Sequence, residues 1–298
     1  MNQAKNEVFI EGILLESDIQ TGTSKENKEF IRGELRILAN QKIGDKIVES
    51  IIPVRMFSNK LTKEGKPNKA YESILKVKNE FISAAAAGGN LDEADAVRIT
   101  SGSLDESLFV PKGSDKEASF PEIQSNFINK ISRDKMVPMT KFNVNVVVNS
   151  IREEMKHDEV TGALILKGAI VQYNDKLDLV EFKIYNEAAK NHIQTNYNKG
   201  DTVNIQGYVN FTSKTEYVEE EQGFGDPILT PKTTTVRELV ITTGSVEPFS
   251  EERAYAREDL NKALSDRAAR IVKLKEDSQT AATAPAVPQK GNTNDNGF

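Results

Sequence analysis

Val54-Arg55-Met56-Phe57-Ser58-Asn59-Lys60 returns later in the chain as Phe182-Lys183-Ile184-Tyr185-Asn186-Glu187. Both stretches alternate apolar and polar residues, which predicts a β-strand whose buried face is formed by Val54, Met56, Phe182 and Ile184. The exposed face then pairs a cation with an aromatic ring in each copy, namely Arg55 with Phe57 and Lys183 with Tyr185. Cations beside rings on a sheet are suited to holding phosphates and stacking bases. An ordinary amphipathic strand would explain one copy, but the repetition favours a functional surface.

Further blocks of sequence recur in the same order around this strand. The matched pairs are Glu29–Leu35 with Leu164–Ile170, Asp95–Ile99 with Asp201–Ile205, and Ile123–Ile131 with Val236–Val246. Gly33 and Gly168 fall at the same place in the first pair, and a glycine inside a strand is typical of a bend or bulge. The separation between matched blocks shrinks along the chain, as expected when the loops of the first copy are longer. The sequence therefore predicts a tandem duplication.

Each copy consists of three predicted strands, a helix and two more strands. In the first copy the helix is expected over Tyr71–Ala87, ended by Gly88-Gly89. This order favours a mainly β protein with two tandem five-stranded OB-fold barrels over a sandwich, which needs more strands and no helix. An unrelated small barrel stays open as an alternative. Two OB-fold domains are predicted, over residues 1–138 and 139–249, with Met136–Met139 as the linker between them. An amphipathic C-terminal helix, capped by Ser250 and packed on a barrel, is predicted over 250–277. The remaining residues, 278–298, are predicted to be a disordered tail.

The composition excludes several kinds of site. The chain has no cysteine, which excludes disulfides, thiolate chemistry and cysteine-ligated zinc, and which fits a reducing compartment. His157 and His192 are the only histidines, and the acidic residues around His157 have no zinc-ligand spacing. No apolar run is long enough to span a bilayer or to form a signal peptide. We therefore expect a cytoplasmic protein that is not an enzyme, with no catalytic residue, metal, cofactor or membrane partner.

The charge is distributed unevenly along the chain. A formal net charge of -6 argues against a uniformly basic surface. Between Arg55 and Lys78, however, seven basic residues stand against two acidic ones, and phosphate affinity depends on local basic surface. The second copy instead carries an acidic insertion, from Glu216 to Asp226, where a barrel could present its binding hairpin. The first copy is therefore the stronger candidate for binding an anionic ligand.

Lys199-Gly200-Asp201-Thr202-Val203-Asn204-Ile205-Gln206-Gly207-Tyr208-Val209 resembles the stretch leading into the fourth barrel strand of bacterial and phage single-stranded DNA-binding proteins. The repeated strand described above resembles the third strand of that family, which ends on a base-stacking aromatic, so the resemblance implies stacking roles for Phe57 and Tyr185. The last residues, Asn294 to Phe298, are similar to the family's acidic tip, which docks replication and repair proteins. That likeness implies partner docking through Asp295 and Phe298, although Gly297 stands where the family has proline.

We therefore expect binding of single-stranded DNA without sequence preference, in replication, recombination or repair, in the cytoplasm of a bacterium or a phage-infected host. Phosphates would be held by Arg32, Arg55, Lys60, Lys63, Lys66, Lys69 and Lys183, and bases would stack on Phe57, Tyr71, Tyr185, Tyr208 and Tyr217. Tyr71 could equally belong to the helix core. The alternative is a protein-binding scaffold or assembly module with no direct nucleic-acid role, which the net charge and the acidic insertion favour.

Overall fold

A computed structural model describes residues 1–43, 45–111, 114–156, 158–220 and 228–283. These residues form eleven β-strands and three α-helices. The strands of the first half are β1 (Asn6–Thr23), β2 (Glu29–Ile43), β3 (Lys46–Asn59), β4 (Ala96–Phe109), β5 (Ala118–Gln124) and β6 (Asn129–Ile131). Those of the second half are β7 (Met139–Lys156), β8 (Glu159–Val171), β9 (Leu177–Ile184), β10 (Thr202–Glu220) and β11 (Ile228–Gly244). The helices are α1 (Lys69–Glu80), α2 (Glu187–Asn196) and α3 (Arg257–Thr283).

In each half five strands close into a barrel with the same strand order, and in the first half the short β6 adds to the edge of β4. In barrel 1, β1, β2 and β3 form an antiparallel meander, β3 pairs with β5 in parallel, and β4 pairs with both β5 and β1. In barrel 2, β7, β8 and β9 repeat the meander, β9 pairs with β11 in parallel, and β10 pairs with both β11 and β7. A helix, α1 or α2, lies between the third and fourth strands of each barrel. The prediction of a mainly β fold with two tandem OB-type barrels is confirmed.

The alternation of the repeated strand sets its two faces as predicted. Val54 and Met56 in β3, and Phe182 and Ile184 in β9, are buried. At Gly33 the strand register continues without a bulge, and the glycine is required for another reason, because a Cβ there would lie 2.2 Å from the carbonyl oxygen of Asp18 in β1. Only glycine permits so close an approach of two strands.

The two barrels pack against each other along their first strands. β1 pairs antiparallel with β7, from Asn6 opposite Val144 to Glu11 opposite Met139. Of the predicted linker Met136–Met139, the last residue already belongs to β7 and lies opposite Glu11 of β1. Buried residues of both halves belong to one continuous core. The division into domains 1–138 and 139–249 remains a prediction about independent folding.

The helix predicted over Tyr71–Ala87 is wrong at both ends. α1 runs from Lys69 to Glu80, with the Asn68 side chain as its N-cap, and the next residue, Phe81, has an extended backbone. The chain after the helix instead finds hydrogen-bond partners on β1, where the backbone N–H groups of Ala84 and Ala85 donate to the carbonyl groups of Leu14 and Leu15. Pairing with an available strand outcompetes continuation of a short helix, whose last carbonyl groups have no partners within the helix.

The C-terminal helix also differs from its predicted range of 250–277. Ser250 closes a turn by accepting from the N–H groups of Arg253 and Ala254, and α3 starts only at Arg257. The intervening turn stays on barrel 2 because the Phe249 N–H group donates to the Thr202 carbonyl. α3 continues to Thr283, so residues 278–283 are helical, while 284–298 lie outside the described residues.

α3 packs on both barrels, as expected for a helix with one apolar stripe. Leu260 and Ala263 are buried in the shared core. Arg267 pairs with Glu106 of barrel 1, with 3.0 Å between Nε and Oε2, and Arg270 donates to the Leu177 carbonyl of barrel 2 at 2.9 Å. Of the helices described, none is both long and apolar enough to cross a bilayer.

Candidate nucleic-acid interface

An arginine and two phenylalanines meet on the outer face of barrel 1. Arg32 in β2 lies directly opposite Phe57 in β3, and the Phe57 side chain is 53% exposed. The ring of Phe30 lies 5.9 Å from that of Phe57, with the Arg32 guanidinium carbon 5.8 Å from the Phe30 centroid. Within the part of the chain that the structure describes, Arg32 forms no ion pair. The site therefore offers a cation beside an exposed ring, and no carboxylate among the described residues is within ion-pair distance of that cation.

Arg55 lies on the same face, but its charge is largely offset. Its Nη1 atom is 2.7 Å from Oε2 of Glu122, and its Nε atom is 3.9 Å from Oε2 of Glu34. The hollow that contains Arg32, Arg55 and Phe57 is also lined by these two carboxylates and by Asp18. Three carboxylates thus stand against two arginines here, so stacking on the rings contributes a larger share of any binding than charge does.

The lysine-rich loop after β3 is an ordered turn. Leu61 bridges to Pro67, and the Gly65 N–H group donates to the Thr62 carbonyl, with Gly65 at a φ of 77° that favours glycine. Two of its four predicted cations are paired, as Lys60 Nζ lies 2.6 Å from Glu29 and Lys66 Nζ lies 2.9 Å from Glu64. The Glu29 carboxylate also raises the pKa of Lys60. Among the described residues, the exposed side chains of Lys63 and Lys69 form no ion pair.

Tyr71 belongs to the helix packing and not to this face. Its ring is half-buried and packs against the barrel core, next to the buried α1 residues Ile74 and Val77. A ring packed in this way exposes little surface to a base. The reading of Tyr71 as helix core, which the sequence left open, therefore agrees with its position.

In barrel 2 the predicted phosphate ligand Lys183 is already bound to two carboxylates. Its Nζ atom lies 2.7 Å from Oε1 of Glu154 and 2.7 Å from Oε1 of Glu238, and only 16% of its side chain is exposed. Burial works against the Lys183 charge, but the hydrogen bonds to both carboxylates raise its pKa overall. Lys183 is thus an unsuitable phosphate ligand, because both partners would have to be displaced.

The tyrosines of barrel 2 differ in exposure. Tyr185 is 47% exposed, and burial of the remainder together with the nearby Glu238 carboxylate raises its pKa. Tyr208 is half-buried, with Lys141 and Val240 opposite it on the neighbouring strands, and burial raises its pKa too. The backbone of Tyr217 pairs with Pro231 in the extended β10–β11 hairpin, while its side chain lies outside the described residues.

The described part of the acidic insertion belongs to the long β10–β11 hairpin. β10 and β11 pair continuously from Asn210 opposite Glu238 out to Glu220 opposite Ile228. The predicted loop is thus a β-hairpin as far as Glu220, and residues 221–227 lie outside the described residues. Asp295 and Phe298 also lie outside them.

Metal coordination receives no support from the residues that the structure describes, which contain no group of three or more side chains placed to hold a metal ion. The His192 ring is accounted for by packing, since it lies edge-on to Tyr197 at 5.7 Å and its Nε2 atom is 3.4 Å from the Ser245 carbonyl oxygen. His157 lies outside the described residues.

Several residues of the surface escaped the sequence analysis. Phe30 shares the face of Arg32, and the period of two along β2 could have identified it. Phe120 of β5 and Arg237 of β11 could not be paired in this way, because they come from different barrels and meet only in the folded chain, 4.5 Å from guanidinium carbon to ring centroid.

The fold is similar to two crystal structures of the single-stranded DNA binding protein from Thermus aquaticus. A deletion and substitution variant aligns with a TM-score of 0.51 at 11% identity, covering 87% of this chain and 100% of that one. The wild-type protein aligns with a TM-score of 0.50 at 12% identity, covering 86% and 98%. At this identity the likeness concerns the fold alone. No curated protein matches the sequence significantly, whereas residues 5–277 match the profile of a protein family described as YorF.

Proposed function

Because this chain belongs to the YorF family, a description that states no activity, we propose its function from the site itself: it binds single-stranded DNA without sequence preference. The observation that carries the proposal is the unpaired Arg32 opposite the exposed Phe57 on the outer face of an OB-type barrel. The fold shared with a bacterial single-stranded DNA binding protein supports the same ligand class.

Stacking supplies most of the affinity in this proposal. A base stacked on an aromatic side chain contributes about 1–3 kcal/mol, and every base has a face that can stack. Phosphates are held by Arg32, Lys63 and Lys69, which need not release a carboxylate first. Arg55, Lys60 and Lys66 must exchange one anionic partner for another, so their net contribution is smaller. Phosphate contacts of this kind position a strand without reading its sequence.

The proposed setting is DNA replication, recombination or repair in the cytoplasm of a bacterium or a phage-infected host. It is supported by the resemblance of the repeated strand and of residues 199–209 to bacterial and phage single-stranded DNA-binding proteins. Asp295 and Phe298 are proposed to dock replication or recombination proteins. Pull-down of host proteins by the full chain, compared with a chain ending at residue 283, tests this docking.

The test is a titration of a fluorescently labelled oligothymidine, and of a labelled duplex, at low and high salt. We expect tight binding of the single strand, weak binding of the duplex and only partial loss of affinity with salt, because salt weakens the phosphate contacts but does not screen stacking between uncharged rings. Phe57→Ala should weaken single-strand binding by about 5- to 150-fold. Tyr173→Ala removes another exposed ring, 67% accessible and not among the residues that line the hollow, and should change nothing. Equal effects of the two substitutions would contradict the assigned site.

A second candidate function is a protein-binding scaffold with no nucleic-acid role. Barrel 2 favours this function, because Lys183 is enclosed by Glu154 and Glu238. The surface of barrel 2 around Lys183 therefore presents no net positive charge to a phosphate. If the protein ignores both single strand and duplex even at low salt, the scaffold becomes the better account.

A further inference from the structure

The hollow on barrel 1 continues beyond that barrel. Its wall residues Glu34, Arg55 and Glu122 also line a second hollow, which lies between the barrels. That second hollow shares Phe120 and Arg237 with a third one on the face of barrel 2. The three hollows thus lie in a row, each sharing wall residues with the next, from Phe57 across the junction of the barrels to the β9 strand of barrel 2. We call this row the groove.

The junction repeats the chemistry of the barrel 1 site with residues from both barrels. Arg237 of β11 lies over the ring of Phe120 of β5, 4.5 Å from its centroid, and the Phe109 ring packs edge-on against Phe120 at 5.8 Å. Phe109 is 39% exposed, and Arg237 is exposed as well. Over the residues described, Arg237 has no carboxylate partner. The junction therefore matches the barrel 1 site, where Arg32 lies beside the Phe30–Phe57 pair.

An arginine whose guanidinium packs on an aromatic ring is preorganised to bind a nucleic-acid strand. One face of the guanidinium contacts the ring, while the other can stack on a base and its N–H groups can donate to a phosphate. The ring also limits the orientations of the arginine, so less freedom is lost when a strand binds. We infer that Arg237 and Phe120 form a second contact point for single-stranded DNA. One strand then runs along the groove from barrel 1 across the junction.

This inference rests on the proposed function, and it competes with a purely structural role. In the structural role the Arg237–Phe120 contact only holds the β4–β5 and β10–β11 hairpins together. The two roles predict a different dependence of the affinity loss on strand length when Arg237 is substituted. A strand too short to leave barrel 1 cannot reach the junction, whereas a long strand can.

The experiment compares labelled oligothymidines of about 6 and about 30 nucleotides, since one OB barrel covers about 4–16. The wild type should bind the long strand more tightly. Arg237→Ala should weaken long-strand binding about tenfold and leave short-strand binding unchanged. Phe120→Leu, which keeps an apolar side chain but removes the ring, should act in the same direction. Arg32→Ala should weaken binding of both strands.

Arg253→Ala is the matched control, because Arg253 lies over Phe249 at 4.3 Å in a similar cation–π contact outside the groove. It should bind both strands as the wild type does. The inference is overturned if Arg237→Ala binds the long strand within twofold of the wild type. It is also overturned if that variant loses affinity equally for both lengths, as a structural role predicts. Failure of the wild type to bind either strand would instead overturn the proposed function, and the inference with it.

Discussion

Replacing Lys183 by methionine separates the role of this lysine in stability from a role in binding. The substitution removes the charge but keeps an unbranched apolar side chain of similar length. Two carboxylates, Glu154 and Glu238, then face each other in a site where their side chains are only 10% and 14% exposed. Removing one partner of a buried ion pair costs about 3–5 kcal/mol, because the remaining charge is left uncompensated.

The structure places the expected loss near the lower end of that range. Glu154 keeps a hydrogen bond from the Thr161 hydroxyl at 2.6 Å, and Glu238 keeps one from the Asn210 amide at 3.2 Å. A loss of about 3 kcal/mol lowers the melting temperature by about 5 °C in a protein of this size. Single-strand affinity at 25 °C should change less than twofold, since the Lys183 charge is not available to phosphate.

The assay combines thermal and urea unfolding, followed by circular dichroism, with the labelled-oligothymidine titration. A triple variant, Lys183→Met with Glu154→Gln and Glu238→Gln, removes the stranded charges and should recover most of the stability. Arg32→Gln is a control that should change binding and not stability. We expect its free energy of unfolding to lie within about 0.5 kcal/mol of the wild type. Its single-strand binding should be weaker, and the slope of log affinity against log salt concentration should be smaller in magnitude by about 0.7. A tenfold loss of affinity in Lys183→Met without a change in melting temperature would refute the reasoning.

Two other predictions concern the junction of the barrels. Burial, reinforced by Asp178 and Glu122 against the opposing effect of Lys176, raises the pKa of Asp105 to about 6. Ionised Asp105 therefore costs stability as pH rises from about 4 to 6, so Asp105→Asn should be more stable than the wild type at pH 7.5, by up to about 3 kcal/mol. Urea unfolding should show this advantage shrinking at pH 4.5; an advantage independent of pH would contradict the assignment. Arg267→Ala leaves the buried Glu106 carboxylate unpaired and should cost about 3 kcal/mol and speed proteolysis of α3. Lys275→Ala, which loses only the exposed pair with Glu117, should cost less than about 1 kcal/mol.

The sequence was sufficient to predict what depends on local periodicity. Alternation placed Val54 and Met56 inside and Arg55 and Phe57 outside, because a strand has a period of two whatever it packs against. The recurrence of Gly33 and Gly168 gave the duplication. These signals also located the Arg32–Phe57 site, since both residues lie on predicted strands of the same copy.

Contacts between distant segments escaped the same reasoning. The charge of Lys183 is neutralised in part by Glu238, which is 55 residues away in the sequence. No sequence pattern indicates that these two residues pair. Arg237 meets Phe120 only because the two barrels pack together. The end of α1 at Glu80 likewise depends on carbonyl groups of β1 that accept from Ala84 and Ala85. The helix propensities of a short stretch of residues carry no information on hydrogen-bond partners elsewhere in the chain.

The ladder between β1 and β7 joins equivalent strands of the two barrels in antiparallel fashion, which is the arrangement a two-fold axis produces in a homodimer. In a homodimer every substitution appears in both subunits at once. Within one polypeptide, each copy can change alone. Among the described residues Arg32 of the first copy forms no ion pair, while its counterpart in the second copy, Lys167, lies 3.9 Å from Glu181. Joining the copies in one chain therefore lets each barrel differ from the other, and it makes their association independent of protein concentration.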